Sequence, residues 1–384
     1  PFGSNLKVTD YKNDGVPILR LQNIGKGYFI DKDIKYISVE KAEELKYHSF
    51  VAGDIALAKL GIPVGKTCII PNNFPKGIIV ADVVRIRPDE STVDYKFLTY
   101  FLNTDLSVAQ LTGNITGATR PRVNLSDVRN IKLHLPPLSE QKRIVAILDA
   151  AFAAIAKAKA NAEQNLKNAK ELFESYLQGV FENNSDGWDM IKLGDIGKVS
   201  MCKRIFKDQT TTKGDIPFYK IGTFGKEPDA YITKEIYNDY RDRFSFPKKG
   251  DILISASGTI GRRVKFDGEP AYFQDSNIVW IDNGEDKILN DYLYYFYGAC
   301  KWNSTSGATI ARLYNDNLRR IDITFPKSKA VQQSIVNQLD ILQAETRKLV
   351  NIYSEKIEAL EELKKSIIQK AFAGELTTKK AVAV

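Results

Sequence analysis

Ten side chains in two groups have the types that grip and read a polyanion. The first group is Lys59, Lys66, Thr119, Arg120 and Arg122; the second is Thr259, Arg262, Arg263, Arg312 and Tyr314. Lys and Arg neutralise phosphates, and Arg, Thr and Tyr also reach base edges when loops present them. Glycines stand beside both groups, in Gly61-Ile62-Pro63-Val64-Gly65 and Ser257-Gly258-Thr259-Ile260-Gly261. Both groups are therefore expected on turns, where side chains can reach outward.

Competing chemistries fare worse. Gly61 to Thr67 resembles a phosphate-binding loop but is one residue short of GxxxxGK[ST], and Cys68-Ile69-Ile70-Pro71 follows it as a strand, not as the helix such a loop must open. Leu135-Pro136-Pro137-Leu138 lacks the polar lead and the aromatic of an amino-methyltransferase motif. No GxSxG elbow or HExxH pair occurs. The two histidines, His48 and His134, and three cysteines, Cys68, Cys202 and Cys300, have no metal-ligand spacing. Asp54 and Asp251 recur in Gly-Asp-Ile contexts that suit a turn before a strand. No catalytic residues and no metal or cofactor site are expected in this chain.

Composition agrees with a polyanionic partner. In 384 residues, 55 Lys+Arg oppose 47 Asp+Glu, a formal charge of +8. Hydrophobic content of 43% and charged content of 27% suit a globular, multidomain chain. No apolar stretch is long enough to span a bilayer, and unpaired cysteines suit a reducing compartment, so a cytoplasmic protein is expected.

The elements that must position these groups come in duplicate. Gly15-Val16-Pro17-Ile18-Leu19-Arg20 is matched 200 positions on by Asp215-Ile216-Pro217-Phe218-Tyr219-Lys220. Gly53-Asp54-Ile55 with Gly61 is matched 197 on by Gly250-Asp251-Ile252 with Gly258. Gly117-Ala118-Thr119 is matched by Gly307-Ala308-Thr309, and Pro136 by Pro326, both 190 on; Gln141 to Asp149 is matched 191 on by Gln332 to Asp340. The drifting offset means one fold with loops of different length.

Each copy has a mixed globular part and then a long helix. Strands are expected at Ile69-Ile70, Ile78–Val80 and Val83-Val84, and at Ile252–Ile254 and Ile278–Ile281; short helices are expected at Tyr95–Asn103 and Asp291–Gly298. Segments 139–182 and 330–373 lack internal Pro and are rich in Ala, Leu, Glu, Lys and Gln. The expected seam of the first helix is Leu148, Ala151, Ile155, Ala158, Ala162, Ala169 and Leu172; that of the second is Leu339, Leu342, Leu349, Tyr353, Leu360, Leu363 and Ile367. Ala often stands in one where Leu or Tyr stands in the other, which suits a close antiparallel pair. The helices together carry only +1, six basic against six acidic residues over 139–182 and seven against six over 329–373, so +7 remains for the rest of the chain, most of it in the globular parts. The fold class expected is α+β: two similar mixed domains joined by a long antiparallel two-helix coiled coil, a pseudo-twofold internal repeat. Its parts are 1–138, 139–185, 186–328 and 329–376, with a tail at 377–384.

The motifs Gly15 to Ile24, Gly53-Asp54-Ile55, Leu135-Pro136-Pro137-Leu138-Ser139-Glu140-Gln141 and Lys370 to Leu376 resemble the specificity subunits of type I restriction-modification enzymes. Trp188, Lys192-Leu193-Gly194-Asp195-Ile196 and Gly250 to Gly258 add to the resemblance, which covers essentially the whole chain. It implies that each globular part is a target recognition domain reading one half of a split, asymmetric double-stranded DNA site. It implies helices that set the spacing and dock two methyltransferase subunits, to which restriction/translocase subunits are added. S-adenosylmethionine, ATP and Mg are then expected on those partners. Three features depart from the pattern: the first copy has no counterpart of Trp188 to Ile196, Ala330-Val331-Gln332 replaces Ser-Glu-Gln, and the loops at Leu60–Gly65 and Ser257–Gly261 differ. The residues alone leave a second reading open, a coiled-coil scaffold presenting two paralogous protein-binding domains.

Overall fold

The computed structural model describes residue 3 and residues 6–113, 121–182, 186–302 and 312–376. Two compact units result, one of Pro1–Ala162 with Lys356–Val384, the other of Glu163–Glu355.

In the first unit the order is β1 (Val16–Leu19), β2 (Lys35–Ile37), α1 (Val39–Glu44), β3 (Ser49–Phe50), β4 (Ile55–Ala58), β5 (Thr67–Ile69), β6 (Gly77–Ile79), β7 (Val83–Ile86), α2 (Tyr95–Leu102), α3 (Asp105–Thr112), α4 (Leu125–Arg129) and α5 (Leu138–Phe181), whose first half belongs here. One sheet runs β2-β1-β6-β3 with β1 parallel to β6, and a second, antiparallel sheet runs β5-β4-β7. All four residues of β4 are buried, as a central strand covered on both faces requires. Leu19, Phe50, Ala56, Cys68, Ile79 and Val83 form the core between the sheets.

The second unit repeats this plan with β8 (Trp188–Lys192), β9 (Gly197–Ser200), β10 (Ile216–Tyr219), β11 (Tyr231–Ile232), α6 (Lys234–Arg243), β12 (Ile252–Ser255), β13 (Arg263–Lys265), β14 (Tyr272–Phe273), β15 (Ile278–Asn283), α7 (Asn290–Ala299), α8 (Asn315–Arg319), β16 (Asp322–Pro326) and α9 (Lys329–Phe372). β11-β10-β14, with β10 parallel to β14, corresponds to β2-β1-β6, and β13-β12-β15 corresponds to β5-β4-β7. Three strands are additional: β9 extends the second sheet beside β15, and β8 pairs with β16. Among the described residues none of the three has a counterpart in the first unit, and the absence of counterparts to β8 and β9 is in line with the missing Trp188-to-Ile196 motif.

A buried glutamine on the first turn of each long helix ties that helix to its globular part. Gln141 accepts a bond from the Asp94 N–H at 2.8 Å and donates to the carbonyls of Thr92 and Pro136 at 2.9 and 2.8 Å. Gln332 accepts from the Leu289 N–H at 2.9 Å and donates to the carbonyls of Lys287 and Pro326 at 2.8 and 2.8 Å. About two helical turns further along, the Tyr100 hydroxyl donates to Asp149, and the Tyr295 hydroxyl to Asp340 at 2.5 Å.

Within each unit the helices run antiparallel. In the first, Lys159 meets Glu361 at 2.5 Å and Arg143 donates to the Leu376 carbonyl at 2.8 Å; in the second, the Tyr176 hydroxyl reaches Gln338 at 3.2 Å. One column of the expected seam lies inside: Leu148, Ile155, Ala162, Ala169 and Leu339 are buried, and Tyr353, Leu360 and Ile367 half-buried. The other column is displaced by one residue. Leu172, Leu349 and Leu363 are 64, 39 and 47% exposed, while Ala151, Ala158 and Leu342 sit half-buried on the flank. Facing inward instead are Val145, Phe152, Leu166 and Phe173 on α5, and Val336, Val350, Ile357 and Ala371 on α9. A seam of period 3.5 alternates steps of three and four residues. From Leu148 the first step is four, to Phe152, and not three, to Ala151. The first helix therefore brings Phe and Leu as well as Ala to the contact.

Candidate nucleic-acid interface

The strands of each unit end in one cluster of turns. In the first unit β4 hairpins into β5 through Lys59–Lys66. Ala58 and the end of that loop are mutually bonded, Ala58 N–H to Lys66 at 2.8 Å and Gly65 N–H to Ala58 at 2.9 Å. Lys59 then donates its N–H to Asp82, in the turn between β6 and β7, at 2.7 Å, and its carbonyl accepts from Val123 at 3.0 Å. The second unit closes the same way. Ser255 N–H reaches Arg262 at 2.8 Å, Gly261 N–H reaches Ser255 at 3.0 Å, Ala256 N–H reaches Asn277 at 2.7 Å, and Leu313 N–H reaches Ala256 at 2.8 Å. Gly61 and Gly258 both have positive φ, at 128° and 65°, a region that favours glycine.

These bonds place two residues of each sequence-derived group at equivalent positions. Lys66 corresponds to Arg262, and Arg122 corresponds to Arg312. Arg122 lies against Leu60, as Arg312 lies against Ser257. Arg122 pairs with Asp82 while its side chain stays 60% exposed. Arg312 donates to the Ser276 carbonyl at 3.3 Å and lies 5.9 Å from the ring of Tyr314, itself 53% exposed. Ser257 donates to Asn277 at 2.8 Å in the same turn. Thr259 is exposed at the loop tip, where its carbonyl accepts from Ser255 at 2.6 Å. Lys59 and Lys66 are half-buried. Arg262 is partly engaged, donating to the Phe224 carbonyl at 3.0 Å.

Arg263 does not join this cluster. It is the first residue of β13, next after Arg262, and points to the opposite face, in keeping with the alternation of extended chain. Its guanidinium lies 4.6 Å over the Tyr294 ring and against Gly298 on α7, and burial depresses its pKa. Thr119 and Arg120 lie outside the described residues, as do the Gly117 and Gly307 motifs.

Two further basic residues, outside these loops, do join. β1 and β10 run parallel to β6 and β14 and finish at the same turns, with Val80 N–H bonded to Leu19 at 3.1 Å and Gln274 N–H to Tyr219 at 2.9 Å. The next residues are Arg20 and Lys220. Each is ion-paired, Arg20 with Asp33 at 3.1 Å and Lys220 with Asp229 at 2.8 Å. Bonds from Gln22, Lys35 and Arg20 hold the Asp33 carboxyl down to about 2. A third addition, Arg204, is 60% exposed and reaches Asp275 at 2.8 Å. The signal for Arg20 and Lys220 was their 200-residue spacing. Arg204 carried none, because only the fold brings it to the turn of Asp275.

Each unit thus assembles cations from three separate segments around one turn: after β1, after β4 and beside Arg122 in the first, with their counterparts in the second. Acids orient Arg20, Arg122, Lys220 and Arg204, and backbone carbonyls hold Arg262 and Arg312. Such a surface can hold phosphates and direct a few side chains to bases.

The sequence profile described as the type I restriction modification DNA specificity domain matches residues 5–167 and 185–359, once for each unit's globular part and helix. The chain belongs to this family. A putative type I restriction enzyme specificity subunit of Haemophilus influenzae is 48% identical over 242 residues, 61% of this chain and 62% of that relative. The fold is shared with a chain solved in work on complex assembly and conformational transition of a type I restriction-modification system, at a TM-score of 0.76 and 21% identity, over 93% of this chain and 91% of that one. It is also shared with the HsdS subunit of Thermoanaerobacter tengcongensis, at 0.61 and 20%, over 94% and 90%. Among the described residues no helix of this specificity-family chain is long and apolar enough to cross a membrane.

Proposed function

We propose that this chain is the non-catalytic specificity subunit of a type I restriction-modification system. Each unit reads one half of a bipartite duplex site through the turn cluster after β1 and β4, or after β10 and β12. The observation that carries this reading is the duplicated placement of cations: Arg20 with Lys220, Lys66 with Arg262 and Arg122 with Arg312, each pair at one place in a shared fold. The groups around them differ. Asp82 stands where the second unit has Asn277, and Leu60 where it has Ser257, so the half-sites differ and the whole site is asymmetric. Lys59, Thr259 and Tyr314 belong to the same surfaces. The partners are double-stranded DNA, two methyltransferase subunits docked on the α5–α9 pair, and restriction subunits. S-adenosylmethionine, ATP and Mg serve those partners in the cytoplasm.

The test is selection of randomised duplex DNA by this chain with its cognate methyltransferase subunit, followed by sequencing. Two different short motifs at one fixed gap are expected. Absence of any enriched motif at low salt, with the complex intact, would refute the assignment.

A further inference from the structure

Gln141 and Gln332 are both fully buried, at 0% exposure, and each makes three bonds to backbone groups. Their partners are equivalent too: the N-cap N–H of α2 or α7, the carbonyl two residues before it, and the carbonyl of the proline that ends the globular part. A primary amide is the side chain that accepts one bond while donating two at the end of a short stem. Glu could not donate them, and Asn is one carbon shorter. The three bonded groups come from the loop before the short helix and from the segment entering the long one. They therefore fix the position of the globular part on its helix in translation and in rotation. Tyr100 with Asp149 and Tyr295 with Asp340 add a second point of attachment on the same side of each joint. The second point stiffens the joint against the rotation that the glutamine bonds oppose.

We propose that Gln141 and Gln332 are positioning residues that set the angle at which each recognition surface leaves its helix, and with it the sharpness of the gap between the two half-sites. This rests on the DNA-reading function proposed above. The lever is long compared with a base pair. A domain of this size places its surface about 30 Å from such a joint. A rotation of about 10° then moves the reading turns by about 5 Å, or about one and a half base pairs at 3.4 Å each. Neither glutamine touches DNA in this scheme, so the bases read within each half-site do not depend on them.

The experiment is the same duplex selection, made with the full chain and its methyltransferase subunit, on the parent, Gln141→Ala, Gln332→Ala, and the milder Tyr100→Phe and Tyr295→Phe. The expected result is unchanged half-site motifs with a gap that spreads from one length to its neighbours on either side, more in the Gln variants than in the Tyr variants. If a Gln variant does not fold, the Tyr variants decide, because each loses only a hydroxyl. A gap that stays single in the folded variants, with only the melting temperature lowered, would overturn the positioning role and leave a structural one. A parent that enriches no split motif would overturn the DNA reading itself, and is recognised by its occurring before any substitution.

Discussion

Leu172 and Leu177 offer a direct test of which stripe of α5 faces its partner. They are the same residue type, five positions apart in one helix and one unit. Leu177 is 4% exposed and packs in the cluster that holds Phe296, Val336 and Leu339; Leu172 is 64% exposed. Leu177→Ala removes the transfer free energy of the lost atoms and leaves a cavity that the neighbours only partly fill, together about 2–5 kcal/mol. Leu172→Ala removes a side chain already in water, so its effect stays within about 0.5 kcal/mol. For a unit of this size each kcal/mol shifts the melting temperature by about 2–4 °C. Leu177→Ala should therefore lower it by at least about 6 °C for a mid-range cost of about 3 kcal/mol, while Leu172→Ala changes it by about 2 °C or less. All three tryptophans, Trp188, Trp280 and Trp302, lie in the second unit, so tryptophan fluorescence reports its unfolding and not that of the first. An equal fall for the two variants, or a larger one for Leu172→Ala, would refute the placement of the seam.

Arg312→Ala should weaken duplex binding and lower the slope of log K against log salt by about one, whereas Arg263→Ala, whose guanidinium packs on Tyr294, should lower the melting temperature and leave that slope alone; titrations at several salt concentrations separate them. Removing seven residues from both α5 and α9 should shorten the preferred gap by about three base pairs, since about 10 Å of helix is lost, and duplex selection would show an unchanged gap if the helices are no ruler. Burial raises the Asp251 pKa, the Lys248 N–H bond offsets this in part, and Asp282 and Glu285 add to it. A carboxyl with a raised folded-state pKa contributes fully below its unfolded value, and that contribution is lost as pH rises through the folded value. Asp251→Asn should thus raise the melting temperature of the second unit at pH 7 and change it little near pH 3; an equal gain at both would contradict the burial argument. Asp54→Asn should do the opposite at pH 7, because Asp54 is clasped by Arg87 at 2.6 Å through both oxygens and Asn would lose that pair.

Much of this architecture was written in the duplication. Matched motifs in fixed order imply a shared fold, and Pro-free segments with a steady offset imply rigid helices, because helices cannot absorb insertions. What periodicity could not decide was the side of the seam. Steps of three and of four both preserve a 3.5 period, and Leu172, Leu349 and Leu363 are apolar on the flank that remains in water. Adjacent arginines posed the same difficulty. Arg262 and Arg263 have equal chemistry, and only their places just before and at the start of β13 send one to the turn cluster and the other onto α7. Gln141 and Gln332 were visible as repeat markers, but three buried hydrogen bonds to groups up to 49 residues away leave no trace in a helical pattern.

The order in which this chain emerges during synthesis differs from the order in which its cores can close. The Phe372 ring packs tilted against Phe97 and edge-on against Phe101, at 5.0 and 5.4 Å between ring centres, and Ala371 is buried in the same cluster with Leu148. The first unit is thus completed by residues made more than two hundred positions after its sheets. At translation rates of about 5–20 residues per second it waits on the order of ten seconds or more with Phe97 and Leu148 uncovered. Until the last turns of α9 arrive, the growing first half is a client for chaperones, and a stop codon placed just before Ile367 would cost the N-terminal domain its packing while leaving its own sequence intact.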